Sequence, residues 1–151
     1  MLDESDRRLL RHLQADPEQP MTQLAEAAGL PLATCYKRLE RLQAQGVLKG
    51  QRMTINWAAL GYGVEVSLRI TLDKTEPRAF DEFLAAARAV AEVTEIQTFL
   101  GRVDVRLAVI ARSMAHYQDI YRDRILTLPH IADIEALMQI ATIKNQQTLP
   151  L

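Results

Sequence analysis

The chain has 151 residues, of which 48% are hydrophobic, so it is long enough for one domain of ordinary size or two small ones with a real core. Its formal charge of −1 excludes a uniformly basic nucleic-acid-binding chain, and any such binding has to come from a local charge imbalance. A lone cysteine excludes an internal disulfide, and without a signal peptide or a membrane-length apolar run we expect a cytoplasmic protein that makes no membrane contact.

A helix-turn-helix is predicted near the start of the chain. The first helix begins after Asp3, a suitable N-cap that acidic residues follow. Thr22 is expected to cap a second, short helix, which Gly29 ends in a left-handed conformation. Pro31 fits the first position of a third helix, where no amide donor is needed. Two short helices joined by a glycine-containing turn of this length are typical of the helix-turn-helix motif.

The predicted third helix, residues 32–45, has two different sides. Its apolar stripe, spaced for a helix and expected to face a core, consists of Leu32, Cys35, Leu39 and Leu42. The opposite side carries cationic and hydrogen-bonding groups, namely Thr34, Lys37, Arg38, Arg41 and Gln45. Because such a face suits a polyanion whose groove accepts a helix, we interpret it as a DNA recognition helix. An ordinary solvated face is the alternative.

A short hairpin is predicted directly after this helix. Residues 47–55 are expected to form two strands that fold near Gly50, which would make a wing beside the helix-turn-helix. Lys49 and Arg52 would then lie along the backbone of a bound duplex. Residues 31–52 contain five Lys or Arg against one Glu, a local charge of +4. A surface hairpin with ordinary charges is the alternative.

A second domain, residues 64–151, is predicted to follow residues 1–55 after a linker at 56–63 that contains two glycines. Alternating apolar residues predict strands, and helical spacing predicts helices. The expected elements are a strand at 64–72, a helix from 76, strands at 93–100 and 103–111, a helix from 113 and a strand at 134–143. This βαββαβ order predicts an α+β, ferredoxin-like domain whose second sheet face is left to solvent or to another copy.

Four segments, in order and over essentially the whole chain, resemble the leucine-responsive and asparagine-responsive (Lrp/AsnC, or feast-famine) bacterial transcription regulators. They read LDESDRRLLRHLQAD, QLAEAAGLPLATCYKRLERLQAQGVLKG, NWAALG and GRVD. The resemblance implies a winged helix-turn-helix that binds double-stranded DNA and a C-terminal, ligand-responsive domain. We expect the DNA contacts at Thr34, Tyr36, Lys37, Arg38, Arg41, Lys49 and Arg52.

The resemblance also implies a homo-oligomer. Family members form dimers mainly through the C-terminal sheets, often assemble further, for instance to octamers, and bind amino acids between subunits. A dimer sets two recognition helices on half-sites about one helical turn apart or a multiple of it, so an imperfect palindrome is the expected target. We expect control of amino-acid metabolism.

The effector loop of the family commonly reads Gly-Asp-x-Asp, whereas here it runs from Gly101 to Asp104 with Arg102 at the acidic position. The resemblance implies that Gly101, Arg102 and Asp104 bind an amino acid or a related small molecule. An amino acid needs an anion for its ammonium group and donors for its carboxylate, so Arg102 changes that balance. A turn glycine and a strand-end aspartate without any ligand are the alternative.

Two other functions would fit the same architecture. Sirohaem decarboxylases look similar in domain arrangement but have histidine- and aromatic-rich strands, whereas residues 103–111 read VDVRLAVIA. Without a carboxylate pair, a nucleophile-base arrangement or a histidine cluster, we predict no enzyme, no catalytic residue, no cofactor and no metal site. A non-DNA-binding partner subunit of a sister regulator is the second alternative, and the +4 segment argues against it.

Overall fold

The computed structural model describes residues 2–146 and 148–151, which divide into two units with separate cores. The first unit contains the chain up to Thr54 together with Lys144–Leu151, and the second is Ile55–Ile143.

The first unit contains three helices, α1 (Glu4–Ala15), α2 (Met21–Ala28) and α3 (Leu32–Ala44). Gly29, with a φ of 65°, ends α2 in the left-handed conformation that glycine adopts without steric cost. The prediction of a helix-turn-helix is confirmed. Its core is a cluster of fully or nearly fully buried residues: Leu9, Leu10, Leu24, Ala25, Ala28, Cys35 and Leu42.

Both helices of the motif begin directly after a proline. The predicted cap at Thr22 is wrong, because α2 starts one residue earlier and Pro20 occupies the cap position. Pro31 likewise precedes α3 and does not form its first residue. The carbonyl oxygens of Pro20 and Pro31 accept hydrogen bonds from the amides of Leu24 and Cys35, at 3.0 and 2.9 Å. Each proline therefore starts a helix through its carbonyl, with its φ already fixed near a helical value.

The chain after α3 does not form the predicted hairpin. Residues 47–55 contain no strand, so that part of the prediction is wrong. The amides of Val47 and Leu48 instead donate to the carbonyl oxygen of Leu42, at 2.9 and 3.1 Å, which folds the chain back on the end of α3. A two-stranded ribbon without a third strand has little stability of its own. The segment is fixed by the Gln51 side chain, whose Nε2 donates to the Pro17 carbonyl at 2.6 Å.

The second unit confirms the predicted βαββαβ order. Its elements are β1 (Val64–Leu72), α4 (Ala79–Arg88), β2 (Val93–Thr98), β3 (Val105–Ala111), α5 (Met114–Ile120) and β4 (Ile131–Met138). A short 3₁₀ turn at Ala58–Leu60 precedes them, and a π-helical turn at Tyr121–Ile125 continues α5. The strands form one antiparallel sheet in the order β2-β3-β1-β4. This is the ferredoxin-like arrangement.

One face of the sheet packs on the two helices. Alternate residues of β1 and β3 are buried, as the period-2 pattern predicted, and they cluster with Phe83 of α4 and Ile120 of α5. The last strand begins and ends earlier than its predicted range of 134–143. Its span follows its partner, because Ile131 pairs with Leu72 and Met138 with Val66, near the two ends of β1.

Candidate nucleic-acid interface and effector loop

The exposed side of α3 carries several of the predicted DNA-contacting residues. Tyr36 is 48% exposed, Lys37 is exposed, and Thr34 is half-buried beside them. No residue within 2–146 or 148–151 forms an ion pair with Lys37, so its charge faces solvent. Leu32 was expected on the buried stripe but is 41% exposed. It is the first residue of α3, and the buried residues of this helix begin only at Cys35.

The two arginines of α3 point to α1. Nη1 of Arg38 lies 2.7 Å from Oδ2 of Asp3 and 2.8 Å from Oδ1 of Asp6. Nη2 of Arg41 lies 2.6 Å from both carboxylate oxygens of Asp6. The side chains of Arg38 and Arg41 are 22% and 44% exposed. Both predicted DNA-contacting arginines therefore already have carboxylate partners within the first unit. We call these four residues the α1–α3 ion cluster.

Asp6 is the centre of the ion cluster and the only charged residue that is fully buried among those the structure describes. The Asp6 amide donates to Oδ1 of Asp3 at 2.8 Å, and the Asp3 amide donates to Oδ2 of Asp6 at 3.1 Å. This reciprocal capping box confirms the predicted cap at Asp3. The same carboxylate thus satisfies an orphan amide of α1 and binds both arginines of α3.

The ion cluster favours the charged state of its carboxyl groups. Hydrogen bonds from Arg38 and from the Asp6 amide lower the pKa of Asp3 to about 2. Burial raises the pKa of Asp6, but hydrogen bonds from Arg38 and the Asp3 amide outweigh it and bring the pKa below its usual value. The hydrogen bonds that Arg38 donates to Asp3 and Asp6 raise the pKa of Arg38. All three groups are therefore ionised at neutral pH.

The burial of Asp6 and its need for a cation could have been predicted from the sequence, although not which residues supply that cation. Its spacing of three and four residues from Leu9 and Leu10 places it on the buried stripe of α1, where a carboxylate requires a cationic partner. Arg38 and Arg41 were predicted to contact a polyanion only, whereas the neighbouring helix supplies them with two anions.

Lys49 and Arg52 both lie in the segment after α3 and are exposed. Within the described parts of the chain neither takes part in an ion pair. On α3 and in the segment directly after it, the cations without an ion-pair partner among the described residues are thus Lys37, Lys49 and Arg52.

The predicted effector residues form the turn between β2 and β3. Gly101 has a φ of 155°, a conformation that side-chain-bearing residues rarely adopt. Asp104 is tied to the end of β1: its Oδ2 accepts from the Leu72 amide at 2.9 Å, and its amide donates to the Ile70 carbonyl at 2.9 Å. The Arg102 carbonyl accepts from Thr71 Oγ1 at 2.8 Å.

The charge of this loop is more positive than the Gly-Asp-x-Asp pattern would give. Arg102 is exposed, and Nζ of Lys74 lies 3.6 Å from Oδ1 of Asp104, whose side chain is 16% exposed. Asp104 is therefore already engaged by a backbone amide and a cation. The loop offers positive charge to an anionic group and leaves little free negative charge for an ammonium group.

The sheet face away from the helices carries a polar network. Arg106 lies at its centre, where Nε donates to Ser67 Oγ at 2.7 Å and Nη1 donates to Glu95 Oε2 at 3.2 Å and Gln97 Oε1 at 2.9 Å. No helix of the second unit covers this face within the described residues. It is a broad, polar surface built on a rigid sheet.

Two absences hold for the part of the chain that the structure describes. It contains no group of three or more His, Cys, Asp or Glu side chains that could hold a metal ion. It also contains no helix whose length and apolar character would let it span a membrane.

Comparison with known proteins matches both units. Residues 65–149 match the family described as Lrp/AsnC ligand binding domain, and residues 2–49 match winged helix-turn-helix DNA-binding. The leucine-responsive regulatory protein of Haemophilus influenzae is 31% identical over 150 residues, covering 99% of this chain and 90% of that protein. The proline dehydrogenase transcriptional activator of Rhodobacter capsulatus is 28% identical, covering 98% and 96%.

Solved structures agree with this match. The feast or famine regulatory protein of M. tuberculosis, complexed with L-methionine, is 28% identical with a TM-score of 0.85, covering 99% of each chain. A transcriptional regulator of Neisseria meningitidis has a TM-score of 0.90 at 22% identity, covering 99% of this chain and 97% of that one, and shows the shared fold.

Proposed function

The chain belongs to the Lrp/AsnC family of DNA-binding transcriptional regulators, and we propose that it reads double-stranded DNA with α3 and responds to an amino acid through its second unit. The observation that carries the DNA-binding mode is the exposed side of α3, where Tyr36 and Lys37 project with Thr34 beside them. A helix of this size fits the major groove, where side chains can distinguish base pairs.

Phosphate contacts come from Lys49 and Arg52 in the segment after α3 and from Lys37 on the helix itself. Lys49 and Arg52 are exposed cations, and a duplex against α3 would bring its backbone close to them. Arg38 and Arg41 lie at the border of the DNA-facing side, with their head groups turned to α1. Affinity from the free cations is salt-dependent and largely independent of sequence, because bound lysines and arginines release counterions from DNA.

A homodimer would supply two such helices. The uncovered sheet face, with Arg106 at its centre, is the surface we propose for dimerisation, and further association to an octamer would use other surfaces. Two copies of α3 would then meet half-sites one or more helical turns apart on an imperfect palindrome.

The effector in this proposal is an amino acid or a related small molecule. Support comes from the match of residues 65–149 to a ligand-binding domain and from a relative solved with L-methionine. Arg102 and Lys74 suit the carboxylate of such a ligand, while a group outside this loop has to receive its ammonium. An effector would act by binding oligomeric arrangements unequally, since only such a difference shifts an equilibrium.

Selection of bound duplexes from random DNA tests the first half of the proposal. We expect recovery of one imperfect palindrome whose half-sites are separated by about 10 base pairs or a multiple. Recovery of unrelated sequences after repeated rounds would contradict sequence-specific binding. Light scattering and thermal melting with each amino acid in turn test the second half. We expect one amino acid to change the oligomer mass. If no amino acid changes the mass and none raises the melting temperature, an amino-acid effector is contradicted.

A further inference from the structure

We infer that Asp6 is a positioning residue for DNA recognition, because it orients α3 through Arg38 and Arg41. In this inference Arg38 connects α1 and α3 through its ion pairs and does not contact a phosphate. The inference rests on the proposed DNA-binding role of α3. It assigns to a residue of α1, outside the helix that meets DNA, a part in sequence discrimination.

Arg38 is held inside the first unit. One nitrogen, Nη1, donates to both Asp3 and Asp6, and Nε is buried with no acceptor among the described residues. A phosphate contact that drew Nη1 away from the two carboxylates would remove one of the two cations that compensate the fully buried Asp6. Lys37, the preceding residue, is exposed and has no such tie.

Two attachment points on one carboxylate fix the rotation of α3. Arg38 and Arg41 are three residues apart, about 4.5 Å along the helix axis and on neighbouring positions of one face. A single contact would let the helix turn about that point, whereas contacts from both arginines to Asp6 oppose rotation about the helix axis.

Rotation matters because base readout depends on short distances. With an outer helix radius of about 6 Å, a rotation of about 10° moves a side-chain tip by about 1 Å. That displacement is enough to break a hydrogen bond to a base edge, which requires about 2.7–3.2 Å. It barely changes attraction to phosphates, which acts over longer distances. Loss of the Asp6 contacts should therefore lower sequence discrimination and leave the salt dependence intact.

The test uses the full chain and a duplex that the wild-type protein selects from random DNA. Fluorescence anisotropy gives the dissociation constant on this duplex and on a scrambled one at several salt concentrations, for Arg38→Ala, Asp6→Asn and the matched control Lys37→Ala. Each variant is measured at a temperature at which circular dichroism shows it folded. Arg38→Gln, which removes the charge and keeps one possible hydrogen bond to the carboxylates, replaces Arg38→Ala if the latter does not fold.

We expect opposite signatures from adjacent residues. Lys37→Ala should reduce the slope of log K against log salt by about 0.9, the value of one phosphate contact. Arg38→Ala and Asp6→Asn should keep the wild-type slope for specific binding within about 0.3 and lower the discrimination ratio about tenfold, the value of roughly one base contact.

Three results would overturn the inference. A slope that falls by about one in Arg38→Ala, with discrimination unchanged, would make Arg38 a phosphate contact. Unchanged discrimination in both Arg38→Ala and Asp6→Asn would limit the ion cluster to stability. Wild-type protein that does not discriminate at all would refute the proposed function and, with it, this inference; the first two results leave the proposed function standing.

Discussion

Replacing Asp6 with Asn should destabilise the first unit more than any other single charge removal on α1. The substitution keeps the size of the side chain and removes its charge. It also places an amide NH₂ group where the structure has an oxygen that accepts from Arg38 and Arg41. Both guanidinium groups lose an anionic acceptor, and a donor faces donors.

The expected magnitude follows from burial and from the partners. Breaking a fully buried ion pair by removing one member costs about 3–5 kcal/mol. Asp6 is 0% exposed, but the Arg41 side chain is 44% exposed and can turn to water after the substitution, which recovers part of that cost. We therefore expect a loss of about 2–3 kcal/mol in the free energy of unfolding, just below that range.

Urea denaturation followed by circular dichroism measures this loss through the unfolding midpoint. Trp57, the only tryptophan, belongs to the second unit, so its fluorescence follows the other half of the chain as an internal control. Glu4→Gln is the matched control on α1, since the Glu4 side chain is 71% exposed and its nearest ion pair is 3.6 Å long. A loss in Asp6→Asn of under about 0.5 kcal/mol, equal to that of the control, would refute the reasoning.

Three further predictions concern acid stability, the second core and the effector loop. The folded-state pKa values of Asp3 and Asp6 lie below their usual range, about 2 for Asp3, so their contribution to the stability of the first unit is complete above about pH 5 and is lost as the pH falls toward 2. The melting temperature should therefore fall over that interval, and less steeply in Asp6→Asn. A melting temperature independent of pH would contradict this prediction. Phe83→Ala, at a fully buried position between α4 and the sheet, should cost about 3–5 kcal/mol in urea denaturation followed by Trp57 fluorescence; a cost below about 1 kcal/mol would show that the site is not tightly packed. Asp104→Ala removes the acceptor of the Leu72 amide and should cost about 1–2 kcal/mol and abolish any amino-acid response in light scattering; an unchanged response would remove this loop from the effector site.

Much of the architecture could be predicted from the sequence because its patterns are regular. The alternation along 64–72 gave the bounds of β1 without error, and the order of elements gave the ferredoxin-like topology. The left-handed end of α2 at Gly29 followed from the conformational freedom of glycine. These features depend on local properties that each segment carries by itself.

Features that depend on distant partners could not be predicted in the same way. The strand β4 follows the two ends of β1, and the hairpin expected at 47–55, whose two halves would have had no third strand to pair with, did not form. Arg38 and Arg41 were assigned to DNA alone, although Asp3 and Asp6 lie more than 30 residues earlier and bind them. The periodicity of one helix does not identify the helix that packs beside it.

The most direct test of the account is fluorescence anisotropy of the full chain on the DNA upstream of its own gene, against a scrambled duplex, at 50 and 200 mM salt. We expect preference for the upstream DNA. From the exposed cations Lys37, Lys49 and Arg52 in two subunits we also expect a dissociation constant that rises on the order of 10³-fold between the two salt concentrations. Two results together would contradict DNA recognition through α3. They are equal affinity for the scrambled duplex, the upstream DNA and duplexes selected from random DNA, and a dissociation constant that changes little with salt.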